Sequence, residues 1–358
     1  MVCDEFVVVE GEEAMRSRIS MIVFLMSLLI VSVAVLGCSF TSECSEKVVY
    51  REPKERAAWV AYWDADSGLK DLGRLDGKVK KVSFFGAYFD EDEYLFVPKE
   101  LESEKVAALR RKGGFETYLS VVNDKQNGDG TSILKDVNVL RRMFADETVM
   151  DEHVDEIIAL TKKGGYDGVE IDYERIWKDE EVSRKFTDFL AKVQAEASKK
   201  KLKVRVVLEP AAFTAPAKFP EGPEYVVMFY NLYGLHSGPG PKADADFIRN
   251  LLTRIETLPG EVSVALATGG CVWSDDGDKR FVSEGEAKAL AIEYDVKPQR
   301  DKASQCLVFQ FARKGVQNQV WYADVNTLNY WISLAGEKKP VNISLWRLGG
   351  NVDIGKLF

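Results

Sequence analysis

The sequence predicts an α/β fold: one closed (β/α)8 TIM barrel with a small hairpin insertion before its last helix. Three observations point there. From Ala57 onward, short β-branched or aromatic runs alternate with helically spaced apolar residues, the pattern of a parallel sheet covered by helices. The runs number eight, enough to close a barrel. A chain of 358 residues, 46% hydrophobic and 29% charged, fits one large barrel of ordinary globular composition without a second domain.

The chain begins with a different kind of segment. Met15-Arg16-Ser17-Arg18 leads into an apolar run from Met21 to Leu36, followed by Gly37-Cys38-Ser39. Basic residues, a short apolar core and a small residue before the cut form a secretory signal. The cysteine after Gly37 suggests a bacterial lipoprotein signal, with Cys38 acylated as the mature N-terminus, although Val35 and Leu36 replace the usual leucine and small residue. The run is shorter than the ~20 residues that span a bilayer. Residues 1–14 carry Asp4, Glu5, Glu10, Glu12 and Glu13 and no base, so translation is expected to begin at Met15. The organisation is then a leader and signal over 1–37, a polar tether over 38–55 and the barrel over 56–358.

Composition excludes several functions. A net charge of −9 argues against nucleic acid, whose backbone needs a basic surface. Two histidines, His153 and His236, with no Cys-x-x-Cys or His-Glu-x-x-His spacing, leave little room for a metal, and no cofactor is expected. Cys271 and Cys306 could pair, but a barrel of this size needs no disulfide framework.

The expected strands are Trp59–Trp63, Lys81–Ala87, Glu116–Val122, Gly168–Glu174, Lys203–Glu209, Tyr225–Tyr230, Glu261–Ala267 and Asn342–Trp346. Helical spacing marks Val154–Lys163, Val182–Lys199, Ala243–Thr257, Glu284–Tyr294 and Asp324–Leu334. Leu307–Phe311 and Gln319–Tyr322, on either side of Lys314-Gly315, suggest the inserted hairpin. The fourth strand is the most informative. With a period of two, Val169, Ile171 and Tyr173 face one way and Glu170, Asp172 and Glu174 the other. Acids roughly 6.6 Å apart along one face raise one another's pKa, so at least one holds a proton near neutral pH. An edge strand with its acidic face in water would give the same pattern, but the flanking strand–helix alternation should bury both faces.

In a barrel of this kind, active residues lie at the C-terminal ends of the strands. Those ends offer Tyr62 and Trp63, Asn123, Glu174, Glu209, Met228, Tyr230 and Asn231, and Trp346. Rings for pyranose faces, with carboxylates and amides for hydroxyls, suit a sugar.

Asp167-Gly168-Val169-Glu170-Ile171-Asp172-Tyr173-Glu174 resembles the signature of glycoside hydrolase family 18, the chitinase-like family, with Glu170 where the middle aspartate is usual. Met228-Phe229-Tyr230-Asn231 resembles its sixth-strand motif, with Asn for Asp, and Trp346 stands where the family keeps the tryptophan flooring the site. The third-strand motif is half present, Ser120 without its glycines. Several segments, among them Ala267-Thr268-Gly269-Gly270 and Trp346-Arg347-Leu348-Gly349-Gly350, resemble a bacterial branch that includes cell-wall and spore-cortex hydrolases.

The resemblance implies a retaining, substrate-assisted glycosidase cleaving β-1,4 glycans at N-acetylglucosamine: peptidoglycan, chitin or a related glycan. Catalysis would fall to Glu174 as general acid, Asp172 as orienter of the substrate acetamido group and Tyr230 as holder of its carbonyl. Glu170, Tyr62, Trp63, Asn123, Glu209, Met228, Asn231 and Trp346 would bind the sugar. The protein would be an exported monomer, lipid-anchored in a bacterial envelope. A non-catalytic lectin on the same barrel is the alternative, though such lectins typically lose the last glutamate of the motif. A structural lipoprotein with a vestigial site is a second. If Cys38 carries lipid, Cys38→Ser should move the protein from a detergent fraction to a soluble one; unchanged membrane retention would mean an uncleaved helix.

Overall fold

In the computed structural model, which describes residues 51–357, eight strands take up the predicted runs. They are β1 (Arg56–Ala61), β2 (Lys81–Phe89), β3 (Glu116–Gln126), β4 (Gly168–Asp172), β5 (Lys203–Leu208), β6 (Glu224–Met228), β7 (Val262–Ala267) and β8 (Asn342–Leu348). Each pairs in parallel with the next. The β1–β8 pairing closes the ring. The signal, Cys38 and the tether as far as residue 50 lie outside the described residues. Among those described, no helix is long and apolar enough to cross a membrane.

The strands are buried on both faces, as a parallel barrel requires; all nine residues of β2 are buried. Outward-facing Val169 and Ile171 of β4 join the apolar layer under the helices with Ile157, Phe186 and Phe189. Tyr173 anchors the strand end there: its hydroxyl meets His153 Nε2 at 2.7 Å, and its ring stacks on Phe189.

The helices are α1 (Ala65–Arg74), α2 (Glu104–Lys112), α3 (Val137–Met143), α4 (Glu147–Gly164), α5 (Glu180–Lys199), α6 (Ala245–Arg254), α7 (Glu284–Glu293) and α8 (Val325–Ala335). Side-chain caps set several starts. Asp146, Asp179, Asp244 and Asp324 each accept a backbone N–H of the first turn. The Asp146 cap explains why α4 starts seven residues before Val154. Helix α1 escapes sequence reading because Ser67-Gly68 interrupts its pattern. Gly68 is needed for close approach: a Cβ there would lie 3.1 Å from Val60 and 3.4 Å from the Leu348 carbonyl.

The inserted hairpin is the centre of something larger. Strands Leu307–Arg313 and Val316–Ala323 turn through Lys314 and Gly315, both at positive φ, as a tight hairpin prefers. They belong to a five-stranded antiparallel sheet with Gly269–Ser274, Lys279–Val282 and Gln299–Arg300. Helix α7 covers it over a separate core that includes Val272, Ala287, Phe309 and Val320. The expectation of a small hairpin is therefore corrected to an α+β insertion between β7 and α8. Cys271 and Cys306 are buried free thiols, so the open pairing is not made.

Inside the barrel the axis is charged. Arg205 of β5 is fully buried; its Nη1 lies 3.1 Å from Glu170 and donates to Ser83, while Nη2 donates to Ser344. Its Nε lies 3.4 Å from Glu224, which also takes the Lys81 ammonium at 2.7 Å. Glu170 and Arg205 are neighbours across β4–β5, and Arg205 and Glu224 across β5–β6, so the register itself brings the charges together. Removing one partner of a buried pair strands the other charge. Arg205→Met should therefore lower the unfolding free energy by about 3–5 kcal/mol in urea melts, and an unchanged midpoint would show that water reaches the axis.

Candidate active site

The acidic face of β4 climbs this axis toward the mouth. At its foot Glu170 is fully enclosed: Oε1 accepts from Trp59 Nε1 and from Ser120 Oγ at 2.6 Å, and Oε2 accepts from Ser83 Oγ at 2.9 Å beside Arg205. With both oxygens already accepting from buried donors, this carboxylate has none left for a sugar. Glu170 is therefore corrected from a sugar contact to a support beneath the site.

Asp172, the last residue of β4, is buried, and its Oδ1 has no hydrogen-bond partner. Burial, and then the charge of Glu174, pushes its carboxyl well above the usual range, against the pull of Lys135. Two residues on, Glu174 is ion-paired through Oε2 with the Lys135 ammonium. Burial raises the Glu174 carboxyl, Lys135 opposes it, and Glu209 and Asp124 raise it further. Both carboxyls are thus raised, and Asp172 is the member without an ion pair of its own.

Glu174 is held by its backbone. The fully buried Asn123 at the top of β3 accepts the Glu174 N–H through Oδ1 at 2.9 Å and donates Nδ2 to the Glu174 carbonyl at 3.1 Å. Asn123 thus also moves from the sugar-contacting set to a positioning one. Glu209 follows β5 and accepts the Arg175 N–H at 2.7 Å, and its charge bears on both Asp172 and Glu174. Tyr230 follows β6 and is nearly buried. Burial, and then the charges of Asp172 and Glu174, holds its phenol well above its ordinary pKa, so it remains a hydrogen-bond donor. Met228, almost fully buried, accepts from Asn231 Nδ2 at 3.3 Å and packs below the mouth; it too is corrected from a sugar contact to floor packing.

The aromatic residues form one side of the mouth. Partly buried Trp346 packs edge-on to Phe85 at 4.8 Å and Trp59 at 5.8 Å. Tyr62 and Trp63 leave β1 in a 3-10 turn, with Trp63 edge-on to Phe85 and 51% exposed. Gly86, at φ 140°, opens β2 for the Tyr62 ring, which would lie 2.9 Å from a Cβ there. Arg347 sits over Trp63 and pairs with Asp64 at 2.6 Å.

Sequence reasoning misses Lys135 and Phe85. Phe85 lies inside an expected strand, two residues before its end, where core and mouth read alike. Lys135 lies in a return loop whose only signal is Asn127-Gly128-Asp129-Gly130, a turn sequence after β3.

Fold and mouth together define a (β/α)8 barrel with an acid-lined, aromatic-walled open end. No protein-family model matches the chain. It is 25% identical over 230 residues to an uncharacterized glycosylase, YvbX, of Bacillus subtilis, covering 60% of this chain and 66% of that protein, just under two thirds of its length. The spore cortex-lytic enzyme SleL of Bacillus cereus superimposes with a TM-score of 0.67 at 19% identity, over 83% of this chain and 71% of that one. A chitinase from Chromobacterium violaceum gives 0.66 at 18% identity, over 84% and 96%.

The Asn123 bracket yields a structural prediction. Asn123→Ala leaves a backbone N–H unpaired beneath the mouth and should lower the unfolding free energy by about 1–3 kcal/mol in denaturant melts. A loss near zero would mean that water replaces the amide.

Proposed function

We propose that the chain is a retaining glycoside hydrolase that cleaves β-1,4 glycans at N-acetylglucosamine with help from the substrate's own acetamido group. The observation that carries this is the pair Asp172 and Glu174, both raised above the ordinary carboxylate range beside the Tyr230 phenol, at the open end of the barrel. The similarity to a glycosylase, a spore cortex-lytic enzyme and a chitinase supports the same reaction class.

In this reading Glu174 protonates the glycosidic oxygen as the bond breaks. The acetamido oxygen attacks the anomeric carbon, giving an oxazolinium ion, and water then opens it with Glu174 as base. Asp172 accepts the acetamido N–H through its unpartnered Oδ1, and Tyr230 donates to the acetamido oxygen. Trp346 supplies a ring for the pyranose face, and Tyr62, Trp63, Glu209 and Asn231 line the mouth around it. The leader read in the sequence supports an exported, lipid-anchored protein, and the likeness to a spore cortex-lytic enzyme supports a cell-wall glycan as its substrate.

Glu174→Gln keeps the shape but delivers no proton, so hydrolysis of N-acetylglucosamine glycans should fall by about 10² to 10⁴-fold while binding survives. Asp172→Asn removes the carboxylate acceptor of the acetamido N–H, so hydrolysis should fall as well, and an unchanged rate would remove Asp172 from the reaction. Mass spectrometry of the products decides between enzyme and lectin. A wild type that binds such a glycan as tightly as Glu174→Gln does, and cleaves none, is a lectin.

A further inference from the structure

Lys135 is held in place by a device that the barrel does not need. After β3 the chain doubles back: Lys125 and Gln126 pair antiparallel with Ile133 and Ser132. The return is clasped twice, the Lys135 N–H donating to Asp124 Oδ1 and the Asp136 N–H to the Asn123 carbonyl, each at 2.7 Å. Lys135 sits at φ 60°, a left-handed conformation costing a side-chain-bearing residue about 1–2 kcal/mol. Its side chain is one-third exposed and reaches the Glu174 carboxylate, which is only 13% exposed.

That contact obstructs the chemistry. A carboxylate paired with an ammonium is an anion and cannot give up a proton, so the ion pair has to open before Glu174 acts as an acid. Burial disfavours the Lys135 ammonium, yet Glu174, Asp172 and Glu209 together hold it charged. The other ionisable groups around the pair are Asp124, which bears on Glu174, Arg175, which bears on Asp124, and Tyr230, which feels Asp172 and Glu174. A neutral sugar offers Lys135 only hydroxyl dipoles in exchange for a full negative charge. A sugar carboxylate offers an equal charge. A chain of net charge −9 draws no acidic glycan by its overall field, so attraction has to be local.

Resting on the hydrolase reading above, we propose that Lys135 determines specificity: it turns from Glu174 to a carboxylate on the sugar beside the one being cut. The chemistry fits the free lactyl carboxylate of an N-acetylmuramic acid that carries no stem peptide, beside the N-acetylglucosamine in an alternating wall glycan. Binding of the acidic sugar and release of the catalytic acid are then one event, and neutral chitin is the poorer substrate.

Three tetrasaccharides test this on the wild type: chitotetraose, an alternating N-acetylglucosamine–N-acetylmuramic acid oligomer, and the methyl ester of the latter, which keeps its bulk without the charge. The acid should be cleaved about tenfold or more faster than its ester, as one charge-assisted contact allows. In Lys135→Met that ratio should fall toward one, chitotetraose cleavage should rise, and the alkaline limb should move to higher pH as Glu174 loses its cation. Lys135→Arg should keep the preference. Equal rates on acid and ester by the wild type overturn the proposal while leaving a hydrolase. So does a folded Lys135→Met with an unchanged ratio, or one inactive on all three. No cleavage of any of them by the wild type removes the hydrolase reading and this one together.

Discussion

The buried Arg205 is the constraint from which the site is built. A guanidinium on the axis of a barrel is tolerable only with counter-charges and acceptors at hand. Glu170 and Glu224 on the two adjoining strands supply the charges, and Ser83 and Ser344 supply oxygens. The need for those partners gives Glu170 its role. A glutamate, one methylene longer than aspartate, reaches the guanidinium while collecting the Trp59 indole N–H and two serine hydroxyls. Its oxygens are thereby all engaged below the next acid up the strand.

The three acids then have three different fates, although the sequence presents them as equals. Glu170 has Arg205, Glu174 has Lys135, and Asp172 between them has no ion pair. Burial and then the charge of Glu174 raise the unpaired Asp172 carboxyl well above its ordinary range, because a lone anion there would cost several kcal/mol. Opening the Lys135 pair changes the balance between Asp172 and Glu174 without moving the strand. Ion pairing of the ladder is thus set from outside β4, by a cation on the axis and a cation on a loop.

That division marks what could be read from the sequence. The ladder was legible because a strand alternates strictly, so Glu170, Asp172 and Glu174 had to share a face once both faces were buried. The eight strands followed from the same alternation, and the mouth from the rule that strand ends carry function. Depth was not legible. Asn123 and Met228 stand at strand ends as Tyr62 does, yet they turn under the mouth because a backbone N–H and a cluster of buried side chains claim them. Helices α1 and α2 and the full insertion sheet depend on tertiary packing more than on local pattern. Lys135 depends on a loop returning to its own strand, and no periodicity reports that.

A barrel that only held a sugar would have little use for such a ladder. Sugar hydroxyls are satisfied by amides and neutral donors, which need no proton bookkeeping, and the aromatic wall of Trp346, Phe85 and Trp63 would serve unchanged. Here the chain instead keeps an unpartnered carboxyl oxygen on Asp172 and a lysine in a left-handed turn, each of which reduces stability. Both features converge on Glu174, one as the acid that feels its charge and the other as its ion-pair partner. Costs gathered around one carboxyl are what the proposed acid catalysis requires and what binding alone does not.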